Sequence, residues 1–244
     1  HMSAKQLARI FTPDIRAGVF VFGEVITGAG VGHIEYTRFL APYLASTDHS
    51  AYDFPLHSML HRAFALGGDL QLLNDPLSAG QALESSRAVT FTVTHDMPNN
   101  DIFRGQILDP VDETLAYTYI LGRAGGTPLL YSDHNESGDR RWVDAYKRPD
   151  LRAMLRFHNQ TSGEDQHLLA SGACFLLFRR GSKGVVGINK CGSAVTVNAQ
   201  FDKFVVLSLY RDVLSGEQIR MQRGEQQISL PARSARMWLR EDRK

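Results

Sequence analysis

Val89-Thr-Phe-Thr-Val-Thr-His-Asp96 is the stretch that decides the fold of this chain. Val89 to Val93 are all β-branched or aromatic, the residues that pack well on a pleated sheet. A His–Asp pair follows directly at the end of that strand. Upstream, Gly18-Val-Phe-Val-Phe-Gly23 is a near-continuous apolar run, as a strand buried on both faces requires, and Glu24 sits at its C-terminal end. Downstream, Gly126-Thr-Pro-Leu-Leu-Tyr131 reads as a third short strand, again followed by acidic and polar residues.

Helical segments lie around and between these strands. Ser3 is a plausible N-cap for a helix to Phe11, with Leu7, Ile10 and Phe11 on one face; Thr12-Pro13-Asp14 ends it. A glycine-rich loop follows Glu24, then a helix around Ile34 to Leu44. Leu56 to Leu73 reads as another helix, with Leu60, Phe64 and Leu72 as its apolar positions. Asp112 to Arg123 is a further one, with Leu115, Tyr119 and Gly122 on one side. Pro149 opens the next as an N1 proline, its inner face traced by Leu151, Met154, Leu155 and His158. Strand–helix alternation with polar groups at strand C-termini is the pattern of a (β/α) barrel.

From about residue 166 the character changes. Alternating strands are separated by turn signals at Gly181-Ser-Lys-Gly184, Lys190-Cys-Gly-Ser193, Ser215-Gly216 and Arg223-Gly224. This predicts a separate all-β domain, an antiparallel sandwich. The expected division is 1–160 for the barrel part and 161–244 for the sandwich.

The 244 residues carry 43% hydrophobic and 22% charged side chains, an ordinary globular balance. The net charge of +1 argues against a dedicated nucleic-acid surface, which needs clustered cations. The basic run Arg233, Arg236, Arg240, Arg243 and Lys244 reads as a solvated face or tail. No apolar run is long enough to span a bilayer, and His1 to Phe11 lacks the apolar region of an export signal. Neither nucleic acid nor membrane is an expected partner.

Three segments, in this order, resemble the α-amylase superfamily of glycoside hydrolases. Phe22-Gly-Glu-Val25 is similar to the motif at the end of barrel strand five, which holds the general acid. Phe91-Thr-Val-Thr-His-Asp96 is similar to the strand-seven motif, and Gly126-Thr-Pro-Leu-Leu-Tyr131 to the strand-eight motif Gly-x-Pro-x-x-Tyr. Each motif is weak alone; their order and spacing carry the resemblance. It implies an α/β fold, the C-terminal half of a TIM (β/α)8 barrel followed by an all-β antiparallel sandwich. It also implies retaining hydrolysis of α-1,4-glucosidic bonds in starch- or glycogen-type glucans.

The resemblance assigns roles residue by residue. Glu24 is the acid/base. Asp96 is a third carboxylate that grips sugar hydroxyls and favours the oxocarbenium-like ring, and His95 hydrogen-bonds the same sugar. His1 matches the His that closes the family's nucleophile motif, as a substrate-binding residue and, through its backbone carbonyl, a calcium ligand. His1-Met2 is equally what a common cloning site leaves behind, and the two readings stay open. The nucleophilic Asp and the first four strands are then not in this chain. Calcium is expected in the full-length parent but not to be held by this chain alone. Thr94 stands where Asn is usual, the halide ligand of chloride-activated members, which departs from the pattern of chloride dependence.

Expected partners are an α-glucan oligosaccharide or polysaccharide, and either the missing N-terminal half-barrel or a second copy of the chain. Four of eight strands would leave open edges that invite pairing. The parent is expected to be secreted or periplasmic, with no signal in this chain. The alternative function is a non-catalytic half-barrel that binds oligosaccharide or only assembles.

Several features read as structural. Asp53-Phe-Pro-Leu56 looks like a turn into a helix. His57 and His61 lie four apart, a spacing that can suit a metal, but no third ligand is evident. Gly28-Ala-Gly-Val-Gly32 resembles a dinucleotide loop only superficially, since it is GxGxG rather than GxGxxG; a flexible active-site loop explains it better. Cys174 and Cys191 would stand directly opposite across a four-residue turn. Two buried free thiols are preferred over a disulfide there, because directly opposed strand positions strain the bond.

Overall fold

The computed structural model describes residues 2–28, 30–133, 140–203, 205 and 207–241. Two compact units are present: His1–Met59, Asp75–Phe91 and Gly125–Leu129 form the first, and Leu60–Asn74, Thr92–Ala124 and Leu130–Lys244 the second.

The first unit holds a parallel sheet of four short strands in sequential order: β1 (Phe22–Gly23), β2 (Ser50–Tyr52), β3 (Ala88–Thr90) and β4 (Thr127–Pro128). Parallel neighbours need crossover connections. Helices α1 (Ala4–Ile10) and α2 (Pro13–Arg16) precede β1, α3 (Ala41–Ser46) precedes β2, and α4 (Phe54–Phe64) starts directly after β2. The expected cap at Ser3 is a full capping box with Gln6. Leu40, Ala51, Leu83 and Ala88 form a buried cluster beneath the strands.

Asp53 shows why Asp-Phe-Pro-Leu turns into a helix. Its carboxylate is fully buried, accepts the Leu56 N–H at 3.0 Å, and also accepts the Leu83 N–H at 3.1 Å. One side chain thus caps α4 and ties it to the segment leading into β3. His57 is buried and stacked on Phe91 at 4.7 Å, so it packs, as expected.

The strand expected over residues 89–93 ends at Thr90, with four residues between it and His95, and the one expected over 126–131 covers only Thr127–Pro128. Two further expectations fail in this region. The run Gly18–Gly23 is not buried: Val19 is 53% and Phe20 57% exposed, and only Phe22–Gly23 pairs. The reason is position, since among the described residues β1 is an edge strand with β2 as its one neighbour. The helix expected over Leu56–Leu73 ends at Phe64. Gly67 takes a left-handed φ of +76°, and a Cβ on Gly68 would fall 2.6 Å from the Ala63 carbonyl oxygen. A short 3₁₀ turn over Leu70–Leu73 then restarts on the Asp69 cap.

The second unit contains α5 (Asp101–Arg104), α6 (Pro110–Gly122), α7 (Pro149–Gln160) and eight antiparallel strands. These are β5 (Gln166–Gly172), β6 (Phe175–Arg180), β7 (Gly184–Asn189), β8 (Val195–Phe201), β9 (Ser208–Asp212), β10 (Gln218–Met221), β11 (Gly224–Leu230) and β12 (Ser234–Arg240). One sheet runs β10-β9-β12-β7-β6-β5 and a second pairs β11 with β8. Strand β8 alternates outward Thr196, Asn198 and Gln200 with inward Val197, Ala199 and Phe201, the period a half-buried strand needs. Its inner residues meet Ile228, Leu230, Leu177, Val185 and Trp238 in one core.

Helix α6 begins earlier than expected because Asp109 caps it, accepting the Val111 and Asp112 N–H groups, with Pro110 at N1. On α7, Phe157 is fully buried with Leu151 and Met154, while Leu155 and His158 are half-buried. Arg180 is buried on β6. Its guanidinium donates to the Gly122 and Arg123 carbonyls at the end of α6 and to the Thr161 and Glu164 carbonyls after α7.

The cysteine expectation is corrected: Cys174 and Cys191 form a disulfide with a Cα–Cα distance of 5.2 Å. The hairpin pairs Arg180 with Gly184 and Phe175 with Asn189, a register one residue tighter than the symmetric one. The cysteines are therefore offset, lie beyond the end of the ladder, and are half-exposed rather than buried.

Candidate active site

Glu24 follows β1 directly, in the first unit, with an exposed side chain. The residue before it has to be glycine. A Cβ on Gly23 would fall 2.6 Å from Cζ of Tyr43. The Tyr43 hydroxyl in turn donates to the backbone carbonyl of Ser50 on β2 at 3.3 Å. Tyr43 thus braces the ends of both strands against α3, and its burial pushes its pKa up, opposed by hydrogen bonding with Thr47 and by the Arg87 guanidinium. A cavity of about 950 Å³ opens beside Glu24, with Phe22, Arg38, Phe39, Tyr43 and His49 among its lining residues. Burial lowers the pKa of His49, and the guanidiniums of Arg16 and Arg87 lower it further.

The glycine-rich loop beyond Glu24 is pinned rather than loose. The Gly28 N–H donates to the Glu35 carboxylate at 2.7 Å, and the Ser58 hydroxyl donates to the Gly28 carbonyl at 3.2 Å. The Val31 N–H donates to the Gly80 carbonyl at 2.6 Å, and at Gly30 a Cβ would meet the side chain of Gln81 at 2.6 Å. Gly30 serves this close approach, while Gly32 takes a left-handed φ of +93° with open space around it. Tyr43, Glu35 and Ser58 were not legible as supports of Glu24, since no local motif links them to it.

His95 and Asp96 belong to the second unit. Thr92 and Thr94 are buried, and the chain then turns, the Met97 N–H donating to the Thr94 carbonyl at 3.3 Å. That turn presents the pair: the side chains are 62% and 42% exposed, with His95 Nε2 3.4 Å from Asp96 Oδ1. The structure therefore brings His95 and Asp96 together as a donor beside an acceptor, a set able to grip vicinal hydroxyls. His1, the remaining expected site residue and the expected calcium ligand, lies outside the described residues. Trp142 is buried, its Nε1 donating to the buried Glu113 carboxylate at 3.0 Å. It braces the segment after β4 and offers no stacking surface.

No family model matches the chain. An alpha-amylase of Aeromonas hydrophila is 48% identical over 239 residues, covering 96% of this chain and 52% of that protein. Among solved structures, a variant of alpha-amylase I from Eisenia fetida in complex with maltohexaose superimposes with a TM-score of 0.72 at 18% identity, over 97% of this chain and 59% of the other. CldA, a cyclomaltodextrin glucanotransferase, gives a TM-score of 0.71 at 19% identity, over 98% of this chain and 54% of the other. These likenesses establish the fold: half of a (β/α)8 barrel followed by an antiparallel sandwich. The chain spans about half the length of the relatives it matches.

Proposed function

We propose that this chain, 48% identical to an alpha-amylase along nearly its whole length, is the acid-bearing half of an enzyme that hydrolyses α-1,4-glucosidic bonds in starch- or glycogen-type glucans. The observation that carries this is the position of Glu24: an exposed carboxyl set directly at the C-terminal end of a parallel strand, where barrel enzymes place their chemistry. Glu24 protonates the leaving glycosidic oxygen and then, as carboxylate, takes the proton of the incoming water. Asp96 accepts hydrogen bonds from sugar hydroxyls and favours the positively charged ring of the transition state; His95 donates to the same sugar. The second carboxylate, the nucleophile, comes from the part of the protein outside this chain. Calcium belongs to the complete protein, to which this chain would add the backbone carbonyl of His1. The expected division at residues 160 and 161 stands as part of the same proposal, with the catalytic groups all in the first portion.

The partner is that other half-barrel. Ile34, Phe20, Val19 and Phe39 are each at least 50% exposed, and among the described residues no strand pairs with the outer edge of β1. Both favour association, which is also what a non-catalytic assembling half would show. The Cys174–Cys191 disulfide supports an oxidising compartment, secreted or periplasmic.

Soluble-starch hydrolysis, assayed on purified material whose polypeptides are counted by intact mass, tests the proposal. Activity from two associated polypeptides, falling by about 10²–10⁴-fold in Glu24→Gln, is the expected result. Full activity in Glu24→Gln would remove Glu24 from the chemistry. A single inactive polypeptide would leave the assembling half as the function.

A further inference from the structure

The disulfide lies at a junction of four segments of the second unit. On one side of it, the Ala173 carbonyl accepts the Leu70 N–H at 2.8 Å, seating the 3₁₀ turn. On the other side, Lys190 Nζ donates to the Ala63 carbonyl at 2.6 Å and the Ala65 carbonyl at 3.0 Å. The Ala63 carbonyl is among the last of α4, which have no partner within the helix, and the Ala65 carbonyl just after the helix also accepts the Gly68 N–H at 2.9 Å. A cation there also complements the helix dipole. Lys190 and Cys174 are themselves joined, the Lys190 N–H donating to the Cys174 carbonyl at 2.8 Å. The Cys191 carbonyl accepts the Arg233 N–H at 3.0 Å, and the Arg233 guanidinium pairs with Asp112 at 2.6 Å and with Asp109, the cap of α6, at 3.2 Å.

Ala63, Phe64 and Leu70 at the ends of the segment held in this way are buried, and it is the turn between them, Ala65 to Asp69, that has little else to hold it. Leu66 is fully exposed, and Gly67 and Gly68 supply no side chains. Its two anchors, the Ala173 carbonyl and the Lys190 ammonium, flank the two cysteines in sequence. The bond between the sulfurs fixes the distance between those anchors.

We propose that Cys174–Cys191 is a redox-reactive clamp that locks the end of α4 and the following turn onto the sandwich strands of the second unit. Both cysteines are half-exposed, so a small dithiol can reach them. The dithiol thiolate attacks one sulfur, the Sγ–Sγ bond breaks, and a mixed disulfide forms. The second thiol of the reductant then displaces the remaining cysteine. Two electrons and two protons pass from the dithiol, which leaves as a cyclic disulfide, to give two protein thiols. A low-molecular-weight disulfide reverses the step. Asn189 Oδ1 accepts the Cys191 N–H at 2.8 Å and keeps that turn in shape without the sulfur bond. Reduction is therefore expected to loosen the clamped segment and not the whole strand domain.

Amide hydrogen exchange on the full chain, oxidised and after treatment with dithiothreitol, tests this. Exchange at Leu70 and Ala65 should accelerate tenfold or more on reduction, with the core of β6 and β7 unchanged. Oxidised glutathione should restore protection. Cys174→Ser/Cys191→Ser should show the fast pattern and no response to reductant, and Lys190→Met should speed Ala65 in the oxidised protein. Unchanged exchange at Leu70 and Ala65 on reduction would overturn the proposal. So would a uniform acceleration of every amide, which would make the bond a general staple. Starch hydrolysis plays no part in these readouts, so the outcome is independent of the catalytic proposal.

Discussion

Replacing Arg180 with Met should be the most damaging single change in the second unit away from its apolar core. The side chain is 2% exposed and donates to carbonyls at 2.7 Å (Gly122), 2.6 Å (Arg123), 2.9 Å (Thr161) and 3.2 Å (Glu164). It terminates two helices at once, where a methionine of similar length would donate to neither. Each hydrogen bond from a charged donor is worth about 1.5–3 kcal/mol, so a simple sum would exceed 6 kcal/mol, roughly. Two effects reduce that. Burial disfavours the charge, pulling the Arg180 pKa down to about 10, which still leaves it protonated at neutral pH. The four bonds also share one side chain and are not additive. A net loss of about 3–5 kcal/mol follows, in line with other broken buried charge networks. For a chain of this size that is a fall in Tm of ~6–20 °C. Urea unfolding followed by far-ultraviolet circular dichroism measures it directly, with Arg180→Lys expected to fall between, since one ammonium cannot span both helix ends. A loss under about 1 kcal/mol for the Met variant would refute the claim that Arg180 caps both helices, because it is smaller than one such bond.

Further outcomes follow from the first unit. Asp53→Ala removes the α4 cap and leaves the buried Leu83 N–H without its acceptor, so a loss of about 2–4 kcal/mol is expected in urea unfolding. Gly23→Ala drives a methyl into the Tyr43 ring and should cost about 1–3 kcal/mol, partly recovered by Tyr43→Leu in the same chain. His49 has a folded pKa below its usual 6.5, so the unfolded chain binds the proton more tightly. Its contribution to stability is complete above about pH 6.5 and is lost as pH falls from there towards the depressed folded value. Tm measured from about pH 7.5 down to 5.5 should fall, and His49→Gln should flatten that slope; an unchanged slope would place the titration elsewhere.

The sequence by itself determined what local chemistry controls. Ser3 with Gln6, Asp53 before Phe-Pro-Leu, and Pro149 at the start of α7 are caps and first-turn residues whose effect is complete within a few positions. The turn signals between strands, and the alternation along β8, likewise fixed the sandwich, because side-chain direction in a strand repeats every second residue. Glu24 and His95–Asp96 were legible because each stands at or just beyond a recognisable strand. Tertiary structure decided the rest. An apolar run such as Gly18–Gly23 says that burial is favourable, not that a neighbour is present, and β1 has a neighbour on one side. The stop of α4 at Phe64 depends on the left-handed Gly67 and the close fit of Gly68, and the sulfur bond on a hairpin register one residue tighter than symmetry suggests. Tyr43 against Gly23, Glu35 on Gly28 and Arg180 beneath two helix ends are contacts between residues far apart in the chain or without a shared motif. No periodicity encodes them; they exist because packing brings a donor, or a ring, to the one place left for it.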